Sequence, residues 1–341
     1  MLQNWIRPLN KDQYSAFTQN GNTIGAKTSF FTLNTLIPEK SIALVGLNEV
    51  SSQKIRNQIY QFQPTSHPIH ITDLGHIRNR SEDFLTSLIA ELQESNITTI
   101  LIGLSTPVIN AQIQGMRALE KPSKLCLIDN KPHSGLISAR NAEALESLAL
   151  IGTQKHLFQE KTWIEYSSLE KINMGTLKND LIEAEPALRD CNALSFSIEA
   201  INKNDAPGQR GLSNTKLSAY EACQLMHYAG FNQSLSSIAF SNYLPELDQH
   251  SMTANLIAQM IWYYLDATSM SLPDHPSHQN NTQNFSVLLE EHNLNISFVK
   301  SLASGKWWIK RDEGKYISCS ENDYRLACAN AISPRLSHIF F

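Results

Sequence analysis

The stretch ALSFSIEAINKNDAPGQRG, residues 193–211, decides the fold, because a largely apolar run passes there directly into a polar segment. Residues 193–198 have the length and apolar character of a strand that is buried on both faces. Segments that follow such strands carry binding and catalytic side chains in α/β proteins, since the carboxyl ends of parallel strands share one edge of the sheet. Ser197, Glu199 and Asn202 are therefore the first candidate site residues.

Working outward, the same pattern recurs along the chain. Segments with helical periodicity, such as 219–229 and 252–265, alternate with short apolar runs at 41–47, 98–103, 124–129, 148–152 and 236–240. This alternation predicts an α/β fold of three α/β/α layers around a mostly parallel sheet. Residues 1–40 lack clear periodicity and are predicted to form an irregular N-terminal segment, which leaves 41–341 as a single domain.

The last part of the chain has a different character. A polar stretch at 273–284 predicts a loop, and two more strands are expected near 296–299 and 306–309. Ser320 and Asp323 have the spacing of a capping box and predict the start of a final helix.

Composition narrows the classes of partner. The formal net charge is -4, with 28 basic and 32 acidic residues interspersed, so no basic stripe for nucleic acid is present. The longest apolar window, 256–265, is too short and too polar to span a bilayer. The five cysteines are scattered and no signal-peptide pattern precedes them, which predicts reduced thiols and a cytoplasmic location.

The strand ends and the segments YEACQLMHYAG (220–230) and TANLIAQMIWYYLD (253–266) resemble the ureohydrolase family of arginase, agmatinase and formimidoylglutamase. The chain looks most like the formimidoylglutamase-like branch of Bacteroidetes type, over residues 40–330. The resemblance implies an arginase-like fold and two manganese ions that share a hydroxide, which attacks the carbon of a guanidinium or formimino group. In the family, four aspartates and two histidines in three motifs, Gly-Gly-x-His, Asp-Ala-His-x-Asp and Ser-x-Asp-x-Asp, bind the metals.

This chain departs from the family at nearly every ligand position. In the first motif, Thr106 stands where the histidine is expected. In the second, Asp129 is retained, whereas Lys131 and His133 replace the histidine and the other aspartate. The remaining differences are Ser197 and Glu199 in place of two aspartates, and Asn242 at the start of the segment that helps to hold the substrate in the family.

Counting charges indicates what these differences mean. The family ligands supply four negative charges against the four positive charges of two divalent ions, but Asp129, Glu199 and Lys131 together carry a net charge of -1. Two metals would be left without compensating charge, so we expect no manganese and no other cofactor. We also expect Lys131 to pair with Asp129 or Glu199 in the place of the metals. A single-metal site of Asp129, His133 and Glu199 remains an alternative.

Two functions follow from this comparison. The first is a non-catalytic pseudoenzyme that binds or scaffolds an unknown protein partner or a small amino-acid-like ligand, without nucleic acid or membrane, as a possible homo-oligomer. The second is an active ureohydrolase that cleaves a C–N bond of a linear amidine or guanidine, such as formimidoylglutamate, with one metal or an altered site.

Overall fold

The structure is a computed structural model, and it describes residues 2–10, 14–18, 21–32, 35–158, 169–212, 214–278, 281–311 and 314–340. The described strands are β1 Ile6–Arg7, β2 Ser29–Phe30, β3 Ile42–Gly46, β4 Ile71–Ile77, β5 Thr98–Ile102, β6 Lys124–Ile128, β7 Ser147–Thr153, β8 Leu169–Asn173, β9 Ala193–Ser197, β10 Ser237–Ser241, β11 Thr282–Leu289, β12 Leu294–Ser301, β13 Trp307–Lys310 and β14 Tyr316–Cys319. The described helices are α1 Ser15–Thr18, α2 Ile24–Lys27, α3 Glu49–Ile59, α4 Glu82–Glu94, α5 Ile109–Arg117, α6 Ala139–Ala142, α7 Met174–Asn179, α8 Glu185–Asp190, α9 Ala219–Gly230, α10 Met252–Met270, α11 Glu321–Cys328 and α12 Pro334–Phe340.

The large sheet has the strand order β1-β4-β3-β5-β10-β9-β6-β7-β8, and β2 lies beside β4. Only the β1–β4 pair is antiparallel among the described pairs of this sheet. Every residue of β3, β9 and β10 is buried, as the apolar runs predict for strands that are covered on both faces. The mostly parallel sheet is therefore confirmed.

Helices cover both faces of this sheet. On one face α3, α9 and α10 pack together, and their side chains join Ile100 and Ile102 in one apolar cluster. On the other face α4 and α5 pack together, and Leu101 belongs to their cluster. Successive residues of β5 thus point to opposite layers, because side chains alternate along a strand. The three-layer α/β/α architecture is confirmed.

The N-terminal residues contribute to the large sheet. Ile6 and Arg7 pair with Ile77 and His76 of β4, and β2 adds a second short contact to the same strand. These two-residue strands lie within the segment that the sequence predicts to be irregular. The division of the chain into residues 1–40 and 41–341 stays a prediction.

A second, antiparallel sheet follows α10 and has the strand order β11-β12-β13-β14. Together with α11 and α12 it encloses an apolar cluster of its own, which includes Phe298, Ile309 and Leu336. The sequence predicted two of these strands; β14 was missed, and β11 begins at Thr282, inside the predicted loop. The capping box of Ser320 and Asp323 is present at the start of α11. No helix in the described ranges is long and apolar enough to cross a membrane.

Candidate functional site

Four neighbouring strands bring the predicted site residues to one edge of the large sheet. β5, β10, β9 and β6 are adjacent and parallel, so their carboxyl ends lie side by side. Thr106 follows β5, Asn242 follows β10, Glu199 follows β9 and Asp129 follows β6. The strand ends that the sequence singled out thus lie together at one edge of the sheet, although the side chains there have different environments.

Asp129 is buried directly beyond β6 and is only 7% exposed. Its Oδ1 accepts a hydrogen bond of 3.0 Å from the backbone N–H of Lys131. In the amide orientation that gives both its side-chain atoms partners, the Asn130 nitrogen donates to the same Oδ1 at 3.3 Å and to the Glu199 carbonyl at 3.0 Å. Asn130 thus joins the end of β6 to the end of β9.

The two polar side chains at the end of β9, Ser197 and Glu199, differ in burial. Ser197 is buried, and its Oγ accepts a hydrogen bond of 2.9 Å from Nδ2 of Asn242. Asn242 has a φ of 62°, in the left-handed region that asparagine tolerates better than most residues. Glu199 lies in a single 3₁₀ turn after the strand and is half-buried.

The cation at this edge is Lys216, which is only 1% exposed and which we had not identified from the sequence. Its Nζ donates to Oε1 of Gln209 at 3.3 Å. Gln209 is itself fixed, because its Nε2 donates to the carbonyls of Ile198 and Ile201 at 3.1 and 2.8 Å. The backbone of Gly211 closes over the ammonium, since a Cβ on Gly211 would lie 2.3 Å from the Lys216 Nζ.

Charge and burial act together on this cluster. Burial and the nearby Glu199 together raise the pKa of Asp129 to about 6, against the opposing effects of the backbone N–H groups and Lys216. Burial lowers the pKa of Lys216, whereas Glu199 and Asp129 raise it. The Lys216 ammonium is therefore within electrostatic reach of both carboxylates, although it makes no direct ion pair within the described part of the chain.

Lys131 does not have the role that we expected. Its side chain is exposed, and among the described residues it makes no ion pair with Asp129 or Glu199. The prediction that Lys131 pairs with these carboxylates is wrong, because only its backbone N–H turns toward Asp129. Lys216, which reaches the site from the loop before α9, provides the positive charge instead.

Thr106 and His133, two further positions at which the resemblance implies metal ligands, are exposed at the surface. The loop after β9 contains the segment Asp205-Ala206-Pro207-Gly208 and contacts α10 through Gly208. Gly208 does not adopt a positive φ; a Cβ there would lie 3.0 Å from Thr253 Oγ1 and 3.1 Å from Asp248 Cβ. Glycine is needed at 208 because α10 approaches the loop closely.

The residues at this edge do not fit a binuclear manganese centre. In the parts of the chain that the structure describes, no three His, Cys, Asp or Glu side chains are grouped so that they can hold a metal ion. The two carboxylates present share their surroundings with a buried ammonium, which repels a divalent cation. The charge of the site comes chiefly from Lys216, Asp129 and Glu199.

No protein-family model matches this chain, and no curated protein matches it in sequence. Solved structures match its fold. Formimidoylglutamase from Bacillus subtilis subsp. subtilis str. 168 has a TM-score of 0.63 and 13% identity to this chain, and the match covers 73% of this chain and 93% of that one.

Two further structures show the same likeness. Trypanosoma cruzi formiminoglutamase with Mn2+ has a TM-score of 0.57 and 12% identity, and the match covers 68% of this chain and 94% of that one. The agmatine ureohydrolase of Thermoplasma volcanium has a TM-score of 0.56 and 15% identity, with coverage of 76% and 97%. The arginase-like fold is therefore confirmed, while the branch of Bacteroidetes type stays a prediction.

Proposed function

We propose that this chain is a member of the ureohydrolase family that has lost the binuclear manganese site and acts as a non-catalytic binding or scaffolding protein. The fold shared with formimidoylglutamase and agmatine ureohydrolase supports the family. The buried Lys216 beside Asp129 and Glu199 supports the loss of the metals. We propose that it binds a protein or a small amino-acid-like ligand and is located in the cytoplasm. We also propose that it assembles as a homo-oligomer.

The observation that carries this proposal is the charge of the site. Asp129, Glu199 and Lys216 have a formal net charge of -1, against +4 for two divalent ions. Taking an uncompensated charge out of water costs several kcal/mol per ion even after relaxation. The lysine therefore compensates part of the carboxylate charge at the cluster, where the family uses metal ions.

Metal analysis of the protein purified in manganese tests this proposal. We expect less than one tightly held ion per chain after dialysis, and no hydrolysis of arginine, agmatine or formimidoylglutamate. Two tightly held ions, or turnover of any of the three, would instead establish the active ureohydrolase. One bound ion that is lost in Asp129→Asn and Glu199→Gln would assign the altered single-metal site.

A further inference from the structure

A second group of charged residues lies at the same edge of the large sheet, beyond the carboxyl ends of β3 and β4. Two strands, β5 and β10, separate it from β9. A cavity of about 370 Å³ opens there and is lined by Arg7, Arg78 and Arg80 together with Glu49 and His76. We call it the arginine cavity. It contains none of the residues at the Asp129 and Lys216 cluster.

The charges of the arginine cavity are unbalanced. Arg7 forms an ion pair of 2.7 Å with Glu49, so one guanidinium is compensated. Arg78 is positioned by its Nε, which donates to the Ile6 carbonyl at 2.9 Å and the Gln3 carbonyl at 3.2 Å. Arg80 makes no ion pair or hydrogen bond within the described residues. Two guanidinium groups therefore line one cavity without an opposing carboxylate.

His76 contributes no positive charge to the arginine cavity, so an anion bound there would be held by Arg78 and Arg80. Burial and the neighbouring Arg56 lower the pKa of His76 to about 4, with Asp73 and Glu49 opposing, so its ring is neutral at pH 7. The facing charged residues from the adjoining elements are Arg56 and Asp73, which neutralise each other through a buried ion pair of 2.7 Å.

A second cavity of about 210 Å³ adjoins the first and shares Leu47 and Arg80 with it. Ser51 lines this neighbouring cavity at the third position of α3 and is 3% exposed. Among the described residues its hydroxyl has no hydrogen-bond partner. Because Ser51 lines the cavity, its hydroxyl is available to a ligand, and at a helix N-terminus it is well placed to donate to an oxyanion.

We propose that the two adjoining cavities form a binding site for a small oxyanion with two negative charges. Arg78 and Arg80 hold the charged group, and Ser51 donates to a second oxygen of the ligand. The combined space is that of a small metabolite. Guanidinium groups suit this ligand because their paired N–H donors match carboxylate and phosphate oxygens. The site does not depend on the state of the Asp129 cluster.

Calorimetric titration and thermal unfolding of the full chain test the proposal. The probes are inorganic phosphate, succinate, and sodium chloride at matched ionic strength. We expect phosphate or succinate to raise the melting temperature beyond the effect of chloride. Stabilisation by phosphate alone would assign the ligand to phosphates, and stabilisation by succinate alone would assign it to dicarboxylates.

Variants identify the residues. Arg80→Gln should weaken binding by about tenfold or more, which corresponds to the loss of a charge-assisted contact, and Ser51→Ala should weaken it by a smaller factor. Arg117→Gln removes the same charge from an exposed position on α5 and should leave the affinity unchanged. The proposal is overturned if neither probe stabilises the protein beyond chloride, or if Arg80→Gln and Arg117→Gln bind equally well.

Discussion

A buried ammonium requires nearby negative charge, and Lys216 has two carboxylates in reach. The lysine in turn compensates part of the negative charge of Glu199 and Asp129. Lys131 lies only two residues from Asp129, yet its side chain is in solvent. Because the two lysines differ in burial and are otherwise alike, they form a matched pair for testing where the positive charge of the site resides.

We expect Lys216→Met to lower the free energy of unfolding by about 3 kcal/mol, since removing one member of a buried charged group leaves the others uncompensated. Lys131→Met should change it by less than about 0.5 kcal/mol, as is usual for an exposed residue. Urea unfolding of both variants at pH 7 measures the difference. Equal losses in the two variants would show that Lys216 does not compensate these carboxylates.

The pH dependence of the free energy of unfolding tests the raised pKa of Asp129. The pKa of Asp129 is raised by burial from 3.8 to about 6. Between these values the folded protein holds a proton that the unfolded chain has released. The contribution of Asp129 to stability is therefore greatest below about pH 4 and falls as the pH rises through about 6, by about 3 kcal/mol in all.

Asp129→Asn should remove this dependence, so the free energy of unfolding of the variant should change less than that of the wild type between pH 4 and pH 6. Urea unfolding at several pH values across this range measures the slope. The wild-type Asp129 carboxyl can be titrated in parallel by NMR. Parallel pH profiles for the two proteins would contradict the raised pKa.

The loop after β9 is held against the start of α10 by hydrogen bonds and close packing. The backbone N–H of Gly208 donates to Thr253 Oγ1 at 2.7 Å, and Asp248 accepts from the Tyr243 hydroxyl at 2.9 Å and from the N–H of Thr253 at 2.8 Å. A methyl group at 208 would press on this network. The entry to α10 and the position of the loop are therefore coupled.

Gly208→Ala should destabilise the protein by about 1–3 kcal/mol, the usual effect of overpacking. Gly21→Ala is the control, because a Cβ at Gly21 would meet no atom within 4 Å and its φ is not positive. Thermal unfolding of both variants compares them. A melting temperature for Gly208→Ala that equals that of Gly21→Ala would show that α10 moves away without loss.

Elements with a strong local pattern could be predicted from the sequence, and those fixed by distant contacts could not. The apolar runs gave β3, β9 and β10, and the helical periodicity gave α9 and α10. β1 and β2 have two residues each and exist only because β4 offers them a partner. β11 has the polar sequence TQNFSVLL, and its strand structure comes from pairing with β12.

The candidate site divides in the same way. Asp129, Ser197, Glu199 and Asn242 follow apolar strands, so their place at the sheet edge was predictable. Lys216 lies in a loop whose sequence has no helical or strand periodicity. An isolated parallel bridge pairs its neighbour Leu217 with Ile201, and this pairing places Lys216 beside the site. Lys131 is nearer to Asp129 in sequence. The direction of its side chain depends on the turn that follows β6, and this turn points it into solvent.

The buried Arg189 side chain makes several of the contacts that attach the antiparallel sheet to the rest of the molecule. Arg189 of α8 forms a bidentate pair with Glu185 at 2.8 and 3.1 Å. Its Nη2 also donates to the carbonyls of Trp307 and Cys319, on β13 and β14. The guanidinium lies 4.3 Å from the centre of the Trp308 ring. Other polar contacts join the same two parts, since Ser318 of β14 donates to Asp190 of α8 and Arg335 of α12 pairs with Glu170 of β8.

Arg189→Lys keeps the charge but loses the planar, forked donors, so we expect the attachment to weaken by about 3 kcal/mol. Trp307 and Trp308 are two of the five tryptophans, so tryptophan fluorescence should then show an added unfolding transition at lower urea than far-UV circular dichroism, because the antiparallel sheet unfolds first. Arg325→Lys alters an exposed pair with Glu321 on α11 and should leave the two transitions coincident. Coincident transitions in Arg189→Lys as well would mean that the other contacts, including those of Ser318 with Asp190 and of Arg335 with Glu170, are enough to join the two sheets.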